Sequence, residues 1–244
     1  MPRRFAFSSL WSCARIVYNT CERVLFVKIA IDGPAGAGKS TLARALAARL
    51  GYIYIDTGAM YRALTWKALQ AGLDLNDPMA LSGLAVELNI AFDKQDGQQR
   101  LLCQGEDISA IIRSPQISAA VSQVAAHPQV RQIMVHKQQQ LAQVGRVVMD
   151  GRDIGEQVLP DANYKFFVTA DLQERAERRL QEMEACGFQV DKDSVLQDMR
   201  NRDLMDAARS VGALKILPDS IVIDTSAYNA EEVLAQILYL IGEC

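Results

Sequence analysis

Residues 33–41 read Gly-Pro-Ala-Gly-Ala-Gly-Lys-Ser-Thr. Glycines at this density let backbone N–H groups approach anionic oxygens with no Cβ in the way. Lys39 adds a positive charge, and the Ser40 hydroxyl is of the type that ligates Mg²⁺. A β-branched apolar run at 25–31 precedes the segment, and a helical apolar pattern at 40–50 follows it. The helix N-terminus therefore adds its positive potential at the same place. With G-x-x-x-x-G-K-[ST] in register between a strand and a helix, the segment is expected to cradle the phosphates of ATP. The residues concerned are Gly33, Pro34, Ala35, Gly36, Ala37, Gly38, Lys39, Ser40 and Thr41.

Three further clusters carry chemistry. Asp-Thr-Gly-Ala-Met-Tyr-Arg at 56–62 places a hydroxyl (Thr57) and a guanidinium (Arg62) where a glycine turn opens a helix. That pair suits a phosphate monoester, although Arg62 alone reads equally well as a solvated helix charge. Asp-Gly-Arg-Asp at 150–153 follows a sharp apolar run. Ligands of doubly wound sheets sit beyond the carboxyl ends of the strands, so Asp150 is placed to hold Mg²⁺ through water, with Arg152 and Asp153 in the same crevice. Arg202, Asp206 and Arg209 lie at helical spacing and share one face. Such a face either clamps a sugar and phosphates or forms a salt-bridge ladder. The helical stretch 174–184 adds Arg175, Arg178 and Arg179 as the nearest other basic groups.

The elements that must position these residues follow from periodicity. Apolar strands are expected near 27, 53, 148, 166 and 222, with helices over 40–50, 58–71, 116–126, 129–144, 172–186, 194–208 and 230–241. The stretch 79–88 has a weaker helical pattern. Alternation of strand and helix implies an α/β fold: a doubly wound, five-stranded parallel sheet of P-loop NTPase type with helices on both faces. Short alternating runs at 89–92 and 100–104 flank a turn-rich link at 93–97, which reads as an inserted β-hairpin. Domain organisation follows. Residues 1–26 are an extension, and 27–244 form a single domain with an acceptor-binding insertion at about 58–130 and a helical lid at about 187–211.

Composition narrows the class. The chain has 244 residues, 50% of them apolar and 23% charged, with a formal net charge of -3. That balance provides no general nucleic-acid footprint. No apolar run approaches the roughly 20 residues that span a bilayer. Cys13, Cys21, Cys103, Cys186 and Cys244 form no CxxC pair, which argues against a disulfide framework or zinc site and fits a reducing compartment. The two histidines, His127 and His136, are too few for a metal cluster. Guanine specificity is disfavoured because no asparagine is followed by lysine, so N-K-x-D is absent. The basic, Ser-containing tract 1–26 resembles a transit peptide, and an upstream start or a disordered tail accounts for it as well; it is set apart from the fold.

Taken together, IDGPAGAGKST, DTGAMYRAL, the SQVA segment at 122–125, VRQIM around Arg131, DGRDIG and the RDxxDxxR helix resemble the bacterial cytidylate kinase family. The resemblance covers about 27 to the C-terminus. It implies transfer of the γ-phosphate of ATP to CMP or dCMP, with Mg²⁺ as cofactor, in a monomeric cytoplasmic enzyme. It implies that Ser122, Arg131 and Asp153 read the cytosine, that Arg62, Arg152 and Arg209 hold the CMP phosphate near Thr57, and that Arg202 and Asp206 contact the sugar. Lys39, Arg152 and Arg209 are the implied catalytic residues, and Ser40 and Asp150 the implied metal contacts. Two positions depart from the pattern. Met205 stands where an arginine is common, and Arg178, Arg179 or Arg200 is expected to replace its charge. Glu156 stands where threonine is usual, and is tolerable only if it points to solvent. Another base specificity, or a regulatory protein with weakened turnover, are the alternatives that the residues themselves leave open.

Overall fold

The computed structural model describes residues 27–95, 98–185 and 187–243. The extension 1–26 and positions 96 and 97 of the expected turn lie outside the described residues. Five strands form a parallel sheet: β1 (Lys28–Asp32), β2 (Ile53–Asp56), β6 (Val147–Gly151), β7 (Tyr164–Thr169) and β8 (Ile221–Asp224). Their spatial order is β2-β6-β1-β7-β8. Ile31 pairs with Asp150 and with Phe166 in register, so β1 is central. This is the doubly wound sheet expected from the sequence.

Alternation along the strands explains the two cores. Ile29, Ile31, Val148, Phe166 and Val168 point to one face, where they pack on α1 (Lys39–Leu50) and α8 (Ala230–Leu240). Ala30, Val147 and Met149 point to the other, against α2 (Thr57–Gln70), α3 (Pro78–Glu87), α4 (Pro115–Val124) and α5 (Pro128–Leu141). Strands buried on both faces read as continuous apolar runs, which is why β6 stood out in the sequence. Pro128 does not merely break a helix: it occupies the first turn of α5, where its missing N–H costs nothing.

The insertion is more than the expected hairpin. β3 (Ile90–Gln95) and β4 (Gln98–Cys103) are antiparallel, and β5 (Glu106–Asp107) adds a third strand. Gln104 and Gly105 connect β4 to β5 with positive φ values of 52° and 86°. Two such residues make the tight turn whose twist matches antiparallel strands. Gln99 Nε2 donates to the Tyr54 carbonyl at 2.5 Å, satisfying an acceptor on the edge strand β2. The remaining helices, α6 (Leu172–Ala185) and α7 (Lys192–Ala207), form an antiparallel pair over the phosphate loop. Among the described residues, Ala176, Val195 and Met199 are the buried members of that pair's own small cluster.

Candidate active site

The chain leaves β1 at Asp32 and turns sharply at Gly33, where an added Cβ would overlap the Val168 carbonyl. Gly36 and Gly38 have φ of 73° and 84°, so the loop needs residues without a side chain to hold its amides inward. A Cβ on Gly36 would come within 2.8 Å of the Arg175 carbonyl and 2.9 Å of Met199 Cε. The α6–α7 pair therefore rests directly on the loop. Lys39 opens α1, and its Nζ donates to the Pro34 carbonyl at 2.6 Å. Burial, followed by the Arg152 charge, pushes the Lys39 ammonium well below its ordinary pKa. Bound phosphate oxygens would reverse that push.

A cleft of about 670 Å³ opens beyond the carboxyl ends of the strands. Thr57, Arg62, Ser122, Arg131, Arg152, Asp153, Arg202, Asp206 and Arg209 all line it. So do Ala35, Gly36, Gly38, Lys39, Ser40 and Thr41. Gly33 and Pro34 do not line it; they shape the loop from behind. Ala37 lines a second cleft of about 460 Å³ on the far side of the loop, together with Thr41, Leu42, Arg178, Thr225 and Tyr228. Beyond the phosphate loop no motif marked that second cleft, because its other walls come from separate elements.

At one end of the main cleft, Arg131 and Asp153 form a buried ion pair. Arg131 NH1 also donates to the Ala125 carbonyl at 3.2 Å, and its guanidinium lies 5.5 Å from the Tyr61 ring centre. Arg131 Nε and the Tyr61 hydroxyl are buried with no hydrogen-bond partner. Arg62, Arg152, Arg202 and Arg209 line the same cleft. Asp206, 1% exposed, accepts from Arg152 Nε at 2.7 Å and from the Arg209 guanidinium. Burial alone would raise Asp206, but Arg152, Arg209 and Arg202 outweigh it and hold it below the ordinary carboxylate range. Arg209 lies just past α7, whose last residue is Ala207, so it reaches the cleft from the following loop and not from the helix face. The Nε atoms of Arg202 and Arg209 are buried and unpartnered. Such orphaned cationic donors are the chemistry of an anion-binding site.

Asp150 lies beneath the phosphate loop. Its Oδ2 accepts from Ser40 Oγ at 2.7 Å and its Oδ1 from the Tyr54 hydroxyl at 2.9 Å. Thr57 Oγ1 donates to the Asp150 carbonyl at 2.7 Å. Burial, with Asp56 next, raises the Asp150 carboxyl to about 6, against the opposing pull of Lys39. A hydroxyl and a carboxylate beside the phosphate cradle fit Mg²⁺, which takes one or two protein oxygens and completes its shell with phosphate and water.

A family model described as cytidylate kinase matches residues 29–243. The chain belongs to the cytidylate kinase family. Curated cytidylate kinases are similar over nearly their whole length. The one from Symbiobacterium thermophilum is 52% identical over 211 residues, covering 86% of this chain and 93% of that protein. Those from Geobacillus thermodenitrificans and Geobacillus kaustophilus are 48% and 46% identical, covering 88% and 89% of this chain and 96% and 97% of theirs.

Set beside the family pattern, the two departures resolve differently. Glu156 forms an ion pair with Lys215 at 2.5 Å and does not line the cleft. Met205 does line it. Of the three arginines expected to compensate, Arg200 is exposed and outside the cleft. Arg178 is tied to Thr225, with NH2 to the carbonyl at 2.7 Å. Arg179 alone of the three faces the main cleft, held by Ser118 Oγ at 3.1 Å. Sequence reasoning named Arg175 only as a nearby basic group and missed Gly212. Arg175 donates to the carbonyls of Ala170 and Ala35 and pairs with Asp203 at 2.7 Å, joining the phosphate loop to α7. Gly212, with φ of 66°, closes over Asp153 and Arg131 so tightly that a Cβ would overlap both.

Proposed function

We propose that this protein transfers the γ-phosphate of ATP to CMP or dCMP, releasing ADP and CDP or dCDP. The observation that carries the reading is the convergence, in one cleft, of the phosphate loop, a cluster of four arginines and the buried Arg131–Asp153 pair beside Ser122. Ser122 and Asp153 accept from the cytosine N4 amino group, and Arg131 donates to N3 or O2. Uracil sets an O4 acceptor against those acceptors, at a cost of about 1–3 kcal/mol for each group left unpaired. Arg62, Arg152 and Arg209 hold the acceptor phosphate, and Arg202 and Asp206 take the sugar. The cleft behind the phosphate loop, between Arg178 and Tyr228, takes the adenosine of the donor.

The acceptor phosphate oxygen is already an anion, so no general base is needed. It attacks the γ-phosphorus as the bond to the β,γ-bridging oxygen breaks, and ADP departs. Ser40 and Asp150 would hold Mg²⁺, which when bound supplies neutralisation of the β- and γ-oxygens. Lys39, Arg152 and Arg209 align the two phosphates and offset their charge, and Arg179 supplies the guanidinium that Met205 lacks. The lid excludes water, which would otherwise compete as acceptor. The functional units are a core, an acceptor-binding insertion at about 58–130 and a lid at about 187–211. The reading is of a monomeric enzyme. Among the described residues no helix is long and apolar enough to cross a membrane. A substrate pair of free nucleotides supports a cytoplasmic enzyme.

A coupled assay with ATP and Mg²⁺ tests this across CMP, dCMP, UMP and AMP. CMP and dCMP are expected to lead by at least about tenfold in kcat/KM. A preference for UMP or AMP would refute the reading, as would tight ATP binding with no ADP formed on adding CMP.

A further inference from the structure

Asp32 has no part in the chemistry described above, yet it is 6% exposed at the end of the central strand, one residue before the phosphate loop. Its carboxylate makes two hydrogen bonds to successive amides. Oδ1 accepts from the Ile154 N–H and Oδ2 from the Gly155 N–H, both at 2.8 Å. Those amides belong to a single π-helical turn, Ile154–Val158, whose N-cap is Asp153. The fastening therefore begins at the residue after the one that pairs with Arg131.

The arrangement is held from several sides. An added Cβ on Gly151 would lie 2.6 Å from both Thr57 Oγ1 and Ile154 Cδ1. One on Gly155 would lie 3.1 Å from Lys165 Cδ and 3.4 Å from Asp32 Oδ2. It is also energetically uphill. Burial raises the Asp32 carboxyl to about 6 and the Asp153 charge adds to the rise, while the two amides and Lys39 oppose it. A neutral side chain would avoid that cost. Only a carboxylate accepts from both amides at once, because an asparagine would turn its NH₂ toward one of them.

We propose that Asp32 is a positioning residue that fixes the Asp153 carboxylate against Arg131, and so sets the distance between the acceptor base and the phosphate loop. The proposal rests on the reading that Asp153 recognises the cytosine. The side chain touches neither substrate. It acts by joining the strand that leads into the donor site to the turn that presents the acceptor site.

The test is Asp32→Asn in the full chain, with Asp153→Ala as reference. The readouts are KM for CMP, KM for ATP and the CMP-to-UMP ratio of kcat/KM. Asp32→Asn is expected to raise the CMP KM and to lower the CMP-to-UMP ratio, each about tenfold, as expected from one buried N–H losing its acceptor. The ATP KM is expected to stay within about twofold. A role confined to stability lowers the melting temperature and leaves the ratio and both KM values unchanged, which overturns the proposal. A rise in the ATP KM alone overturns it too, because Asp32 would then act on the phosphate loop. If Asp153→Ala keeps the ratio, the base reading itself fails, and an unchanged CMP KM in Asp32→Asn overturns the positioning role separately. Should Asp32→Asn not fold, Asp32→Ser retains one small acceptor and is judged by the same readouts.

Discussion

Asp206 is the counter-charge around which Arg152 and Arg209 gather, and Asp206→Asn tests that frame. Both of its oxygens are engaged, by Arg152 at 2.7 Å and by Arg209. A unit-charge pair about 4 Å apart is worth about 4 kcal/mol at an effective dielectric near 20, much of it offset by desolvation. Removing one member of a buried pair costs about 3–5 kcal/mol, because the remaining charge is left uncompensated. Asparagine keeps the size and one acceptor, so a loss near the lower end, about 3 kcal/mol, is expected. Urea unfolding measures it, read from the midpoint with the slope unchanged. The arginines left without Asp206 should then recruit an anion. Inorganic phosphate, compared with chloride at equal ionic strength, should raise the midpoint of the variant more than that of the wild type. A loss under about 1 kcal/mol, or an equal gain from phosphate in both proteins, would refute the assignment of Asp206 as the counter-charge.

Met205→Arg should leave kcat within about threefold, whereas Arg179→Ala should lower it about a hundredfold, since a guanidinium at the transferring phosphoryl group carries a large share of the rate. A large rise in Met205→Arg would show the site to be weakened by the methionine. Asp150→Asn tests a pH dependence whose sign is fixed by the raised carboxyl, about 6 in the folded chain against an ordinary value of 3.8. The folded state takes up a proton between those values that the unfolded chain does not, so the wild type gains stability as pH falls through the window. The variant should therefore melt higher than the wild type at pH 8, by up to about 3 kcal/mol in stability, with the gap closing toward pH 4. A gap independent of pH would contradict this. Gly212→Ala should raise the CMP KM at least about tenfold with little change for ATP, since the Cβ would overlap Asp153 and Arg131. Glu156→Thr breaks only a partly exposed pair with Lys215, and should shift stability by less than about 1 kcal/mol and leave the kinetics alone.

Much of this protein was legible in one dimension, for reasons that are local. The phosphate loop is a contiguous segment whose glycines, lysine and serine each answer a demand of the backbone or the ligand. The five core strands are apolar runs because both faces of a parallel sheet are covered. The nine residues put forward as substrate contacts, Ser122 and Arg131 by the family resemblance alone, do line one cleft. The third strand of the insertion was missed because two residues, Glu106 and Asp107, carry no periodicity; only the Gln104–Gly105 turn marks it.

What tertiary structure alone decided was pairing across long separations. That Arg179, and neither Arg178 nor Arg200, lines the main cleft depends on long-range partners, Ser118 for Arg179 and Thr225 for Arg178, which helical spacing does not encode. Asp206 read as one member of a helix face; in the fold it is the buried partner of Arg152, 54 residues away. Asp32 carries no sequence signal of its own, yet its carboxylate holds amides 122 and 123 residues further on. A sequence specifies which groups are charged and which segments are stiff. Which charges are buried together is settled only when the sheet closes, because desolvation and ion pairing act through space.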